Sequence, residues 1–148
     1  MKRIGDYRKL LGVTNTVGLK ELKTVYREFM KENHPDKFVE NNSLKLEAEE
    51  KSKSIIAAYH FLVSIDPETQ KQNLPEYTAT ITSSIIVDFQ HKGLTLKINF
   101  SDGSIYEYFN VPKNIYVKLV NADSQGRFAR RHIFSSYLYR NITKAATV

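Results

Sequence analysis

His34-Pro35-Asp36-Lys37 is the stretch on which the reading of this chain turns. Upstream of it, Lys20 to Asn33 carries a helical period, and downstream Ser43 to Ile65 carries another. Proline has no amide hydrogen and drives the residue before it toward extended backbone, so the upstream helix is expected to end near His34. The two helices then fold back as an antiparallel hairpin with His34, Pro35 and Asp36 held at its tip.

At about 100° per residue the upstream helix sorts into three faces. Leu22, Val25, Tyr26, Phe29 and Met30 form an apolar stripe; Glu21, Glu28 and Glu32 share one flank. Lys20, Lys23, Arg27 and Lys31 fill a narrow arc on the other flank. Two readings of that arc stand side by side. One is a solvated face with Glu–Lys pairing across turns; the other is a docking ridge for an acidic partner beside the tip. The tip is equally open to a turn in which Asp36 caps the loop backbone. A His–Asp pair also raises acid–base catalysis, but no nucleophile, second base or metal-ligand set accompanies it. The chain is therefore not expected to be an enzyme, and no catalytic residue, metal, cofactor or small-molecule substrate is assigned.

With 148 residues the chain can form one compact domain or two small ones. It contains no cysteine, which removes disulfides, Cys-ligated zinc and thiol catalysis. No apolar run reaches the length of a membrane span and the N-terminus lacks a signal-peptide core, so the cytoplasm is the expected location, without membrane contact. The net charge of +6 suits an acidic protein or a nucleic acid. Residues 1–75 carry 13 Lys/Arg against 11 Asp/Glu, and residues 76–148 carry 9 against 5. From Tyr77 onward the chain also holds eleven of its seventeen aromatic residues. The first half reads as helix and the second as sheet, an α+β protein. Pro67, Pro75 and the polar run between them mark a connecting segment. The expected divisions are residues 1–70, a linker over 71–81, and a second domain over 82–142.

In the first half, Asp6 can cap a short helix from Tyr7 to Leu11 that Gly12 ends. Asn41 to Ser43 can cap the third helix, whose Leu44, Ala48, Ile55, Tyr59 and Leu62 pack back on the second. Ser52 interrupts that stripe, and Asp66-Pro67 stops the run. These residues together resemble the J domain of DnaJ-type co-chaperones over 5–70. The resemblance is carried by Asp6-Tyr7, Leu10-Leu11-Gly12-Val13, Leu22, Lys23, Tyr26 and Arg27, then His34-Pro35-Asp36-Lys37 eight residues after Tyr26. It continues through Lys53, Ile55, Ala58-Tyr59, Leu62 and Asp66-Pro67. It implies that His34, Pro35 and Asp36, with the basic face, contact a DnaK-type heat-shock ATPase and speed its ATP hydrolysis. It further implies electrostatic contacts from Lys23 and Arg27 and an arginine of the partner facing Asp36. Glu28, Glu32, Asn33 and Ser52 depart from the family pattern.

In the second half, Ser84 to Gln90 reads as a strand, His91-Lys92-Gly93 as a turn, and Leu94 to Phe100 as a half-buried strand by its period of two. Ser101-Asp102-Gly103-Ser104 signals a hairpin into a third strand from Ile105 to Asn110. Pairing Phe100 with Ile105 would place Glu107 on the buried face, a costly position for a carboxylate. Pairing Phe100 with Tyr106, and Ile98 with Tyr108, turns Glu107 outward and is the expected register. A helix follows from Lys113 to Asn121, then a turn over Asp123 to Gly126, and further helix from Phe128. Residues 82–140 resemble the KTSC domain, found at the C-terminus of some lysyl-tRNA synthetases, through Ser83-Ser84, Leu96, Phe100, Gly103, Tyr106-Glu107-Tyr108, Val111-Pro112 and Tyr116. The match continues through Leu119, Ala122, Ser124, Gly126, Phe128 and Ile133. RNA binding is the role suggested for that family. On this chain it would use Tyr106 and Tyr108 to stack on bases and Arg127, Arg130 and Arg131 to follow phosphates. The register instead places both tyrosines in the core. His60, His91 and His132 are scattered and read as incidental.

Overall fold

The computed structural model describes residues 2–33 and 42–145. The His34-Pro35-Asp36-Lys37 stretch and Asn41, the first of the expected caps, lie outside the described residues, whereas Asn42 and Ser43, the other two, already lie inside the third helix. Contacts divide the chain into two compact units, with the division between Glu68 and Thr69. The first is helical and the second carries a four-stranded antiparallel sheet, so the fold is α+β.

The first unit consists of α1 (Lys2–Leu11), α2 (Leu19–Asn33) and α3 (Asn42–Ile65). Helix α1 starts well before Asp6, which lies inside it and does not cap it. The cause is Ile4, which is buried along with Leu11 and gives the helix one more inward turn. Gly12 ends α1 in the left-handed region at φ 67°. The Val13 N–H reaches back to the Arg8 carbonyl at 3.0 Å and the Gly12 N–H to that of Lys9 at 3.1 Å, satisfying carbonyls the helix would leave open. Helix α3 packs against both α1 and α2. Its Ile55, Ala58, Phe61 and Leu62 are buried, Ala58 allowing close approach. Ser52 is buried in the same stripe, where a larger apolar residue would have been expected.

The second unit opens with α4 (Pro67–Ser83), where a linker was expected over 71–81. Asp66-Pro67, which ends α3, also starts α4: the Asp66 carboxylate accepts the Glu68 N–H at 2.9 Å, and proline at the first helical position gives up a donor that has no partner there. Pro75 sits inside α4, yet Tyr77 and Thr80 are buried. Their packing outweighs the backbone hydrogen bond that Pro75 cannot make. The sheet follows as β1 (Ile86–Lys92), β2 (Thr95–Phe100), β3 (Ile105–Tyr108) and β4 (Tyr139–Asn141), in that spatial order. Between β3 and β4 lie α5 (Lys113–Val120) and α6 (Gln125–His132), and α7 (Ile142–Ala145) ends the described chain. Leu96, Ile98, Phe100, Tyr106 and Tyr108 line the buried sheet face, packed with Tyr77, Leu119, Ala129, Ile133 and Phe134.

The β2–β3 register corrects the expected one by two residues. Ile98 faces Tyr106 and Leu96 faces Tyr108. The loop has three residues, but they are Ser101, Asp102 and Gly103: the Phe100 N–H donates to the Ser104 carbonyl at 2.9 Å. A three-residue hairpin loop needs a left-handed residue at its end. Gly103, at φ 88°, supplies it; the expected register would have asked this of Ser104. A shift of two leaves side chains on the same face, so Glu107 still points away from the core. There it meets Arg140 of β4, Nη1 to Oε1 at 3.1 Å, in a largely shielded pair. The structure therefore gives Glu107 a partner where solvent was expected.

Asp102 ties this hairpin to α4. Its two oxygens accept from the Ser104 N–H and the Thr80 hydroxyl, each at 2.8 Å. Burial lifts the carboxyl, but these hydrogen bonds outweigh it and hold the pKa below its ordinary value. A carboxyl lowered by folding stabilises above its unfolded pKa of about 3.9, and that contribution fades as pH falls through the folded value. Asp102→Asn is thus expected to lower the unfolding midpoint at pH 7, with the difference from the parent closing in strong acid. Thermal melts across a pH series read this directly.

Candidate partner-binding site

Helix α2 is oriented by what its apolar stripe touches. Leu22 is buried, while Val25, Tyr26, Phe29 and Met30 are half-buried. The Tyr26 ring stacks on Tyr59 of α3, with centroids 4.1 Å apart and planes 11° off parallel. With that side fixed, Lys20, Lys23, Arg27 and Lys31 are all exposed. They occupy about 80° of arc at 100° per residue and, at 1.5 Å per residue, a ridge about 16 Å long. Among the described residues none of the four forms an ion pair, so the Glu–Lys pairing of the solvated-face reading is not made there. Glu21, Glu28 and Glu32 are exposed on the adjoining flank. A stripe of unpaired cations attracts carboxylates and raises encounter rates with an acidic surface. Lys31 lies in the last turn, three residues before His34 in sequence; His34, Pro35 and Asp36 themselves are outside the described residues.

The second group of candidates separates. Tyr106 and Tyr108 are 2% and 0% exposed, so neither ring is open to a base. Burial raises the Tyr106 hydroxyl to about pKa 12 and holds the Tyr108 hydroxyl well above its ordinary value. Tyr108 is 3.0 Å from the Tyr77 hydroxyl, which in turn donates to the Phe134 carbonyl at 2.8 Å. Tyr77 has a single proton, so Tyr108 is the donor in their pair. Arg127, Arg130 and Arg131 are exposed together on α6. The stacking-plus-phosphate arrangement is therefore not assembled: its aromatic half is core. His91 and His132 take packing positions. The His91 Nε2 donates to the Val111 carbonyl at 2.7 Å while its ring stacks on Tyr116, and His132 lies against Phe128. Among the described residues no group of three His, Asp or Glu side chains is placed to hold a metal, and no helix is long and apolar enough to cross a membrane.

Residues 6–72 match the DnaJ domain family and residues 82–137 the KTSC domain family. A DnaJ domain over residues 6–72 is thus followed by a KTSC domain over residues 82–137. The DnaJ part is similar to the tetratricopeptide repeat and J domain-containing co-chaperone DNJ1 of Fusarium oxysporum f. sp. lycopersici, 44% identical over 63 residues, covering 43% of this chain and 12% of that protein. It is also similar to the chaperone protein DnaJ of Hydrogenobacter thermophilus, 41% identical over 69 residues, 47% of this chain and 17% of that protein. The KTSC part is similar to the lysine–tRNA ligase of a Nostoc species, 39% identical over 49 residues, 33% of this chain and 9% of that enzyme. The chain thus spans less than a fifth of the length of each of these relatives. The basic ridge on α2 and its support by Tyr59 belong to the DnaJ domain. Tyr77, Thr80 and Arg140 lie outside the KTSC match, yet the first two are buried in its core and the third pairs with Glu107. Sequence reading missed all three. The Asp66-Pro67 helix start was the signal that could have placed Tyr77 and Thr80.

Proposed function

We propose that the chain is a J-domain co-chaperone. Its DnaJ domain binds a DnaK-type heat-shock ATPase through Lys20, Lys23, Arg27 and Lys31 and through His34, Pro35 and Asp36, and accelerates ATP hydrolysis by that partner. The chain hydrolyses nothing itself, and the KTSC domain serves targeting or binding. The observation that supports this most is the exposed cationic ridge, without an ion pair among the described residues and fixed in direction by Leu22 and Tyr26. Such a ridge steers an acidic surface into register at a rate that falls with salt, since the Debye length is about 8 Å at physiological ionic strength. Asp36, at the tip, is the group proposed to engage a partner arginine. The names of the relatives, a co-chaperone and a DnaJ chaperone, support the same reading. The test is single-turnover ATP hydrolysis by a DnaK-type chaperone, which is expected to rise with added chain and to saturate.

A further inference from the structure

The second unit contains a cavity of about 320 Å³ between the end of α4, the start of β1 and the first turn of α6. Phe100 and Phe134, both buried, and Ile81 and Ile86, both half-buried, form one apolar wall, while Ser84, Ser124 and Gln125 make the rest of the lining polar. Arg130 is the single charged residue among those that line it, and no carboxylate does. The guanidinium is placed beside α6: a Cβ added at Gly126 would lie 3.5 Å from the Arg130 Nη1. Arg127 and Arg131, exposed on the same helix, strengthen the positive field there.

A third feature is the sheet edge. Strand β1 is an outer strand. Ile85 exchanges hydrogen bonds with Ser101, its N–H donating to the hydroxyl at 3.0 Å and its carbonyl accepting the Ser101 N–H at 2.9 Å. Ile86 is paired with Phe100, whose own N–H turns away to the Ser104 carbonyl, so just before the irregularity between Ile86 and Asp88 the N–H and carbonyl of Ile86 point to the free edge. A cavity at the small end of ligand sites with one apolar wall, a cation at it and an open backbone pair alongside are three elements that bind a chain end.

We propose that this groove binds the C-terminal residue of a polypeptide, a large apolar side chain filling the cavity and the terminal carboxylate meeting Arg130. The preceding backbone runs along Ile86. This assignment does not depend on the co-chaperone reading, and its test involves no ATPase.

The test is fluorescence anisotropy of the whole chain with a labelled pentapeptide of sequence Gly-Ser-Gly-Ser-Phe carrying a free carboxylate. Saturable binding is expected. It should weaken about tenfold or more when the peptide ends in an amide, and similarly in Arg130→Gln, because each change removes a charge-assisted contact. Arg130 is exposed, so the variant should keep its near-UV circular dichroism. Replacing the terminal Phe by Gly should weaken binding as well. Equal binding of the amide, or by Arg130→Gln, overturns the proposal. N-acetyl-phenylalanine matching the peptide overturns the polypeptide assignment, as does displacement of the peptide by an equal concentration of single-stranded RNA.

Discussion

Tyr77→Ala is expected to destabilise the second unit by about 3–5 kcal/mol, the range for removing a large buried aromatic side chain. Tyr77 is 3% exposed, its ring stacks on Tyr139 with centroids 3.8 Å apart, and it contacts Tyr106 edge-on at 5.1 Å. Its hydroxyl joins the Tyr108 hydroxyl to the Phe134 carbonyl. Tyr77→Phe separates the two contributions: it keeps the ring but leaves two buried polar groups short of a partner, at about 1–3 kcal/mol. The same reasoning applies to a chain beginning at residue 82. It retains the whole KTSC match but lacks Tyr77, Thr80 and the Gln70 side chain that donates to the Tyr139 carbonyl at 2.6 Å. Urea unfolding followed by tyrosine fluorescence should show the order parent, Tyr77→Phe, Tyr77→Ala, with the trimmed chain losing its cooperative transition. A trimmed chain as stable as the parent would contradict the role given to α4.

Reversing the ridge is the second large effect. Lys23→Glu combined with Arg27→Glu turns two exposed cations into anions without touching the apolar stripe, so folding should be retained. Each exposed pair is worth up to about 1 kcal/mol, and reversal adds repulsion to its loss. The concentration of chain needed for half-maximal stimulation of the partner ATPase is expected to rise at least about tenfold, which is about 1.4 kcal/mol. The maximal rate at saturation should remain, because the ridge acts on encounter and affinity. Raising salt should narrow the gap between parent and variant. Unchanged half-saturation at low salt would remove the ridge from the proposed contact.

Much of this was legible in the chain. Helix α2 is long and strongly amphipathic, and burying Leu22 beside Tyr26 dictates where Lys20, Lys23, Arg27 and Lys31 must point. The β2 strand declared itself by alternation, with Leu96, Ile98 and Phe100 buried as expected; Leu94 lies beyond the strand in the turn and is exposed. Glu107 decided the face of β3, since a carboxylate could not share the core with Tyr106 and Tyr108. The register itself depended on one dihedral angle: only Gly103 can take the left-handed position at low cost, which moves the loop one residue toward β2. Helix α4 was obscured because Pro75 and a polar run read as a boundary. Asp66-Pro67 is both a stop and a start, and the deciding quantity, the burial of Tyr77, is a tertiary one. Strand β4 has three residues, too few to show a period, so Arg140 had no visible reason to pair with Glu107. The cavity beside Arg130 is built from four separate segments, and no local pattern announces it.

The proposed role of His34, Pro35 and Asp36 is checked by single-turnover ATP hydrolysis by a DnaK-type chaperone. The parent chain is expected to accelerate hydrolysis in a saturable way. His34→Gln is expected to give no acceleration even at saturating concentration, whereas the ridge variant regains its effect there. Stimulation that survives in His34→Gln, or none from the parent chain at saturation, would contradict the account.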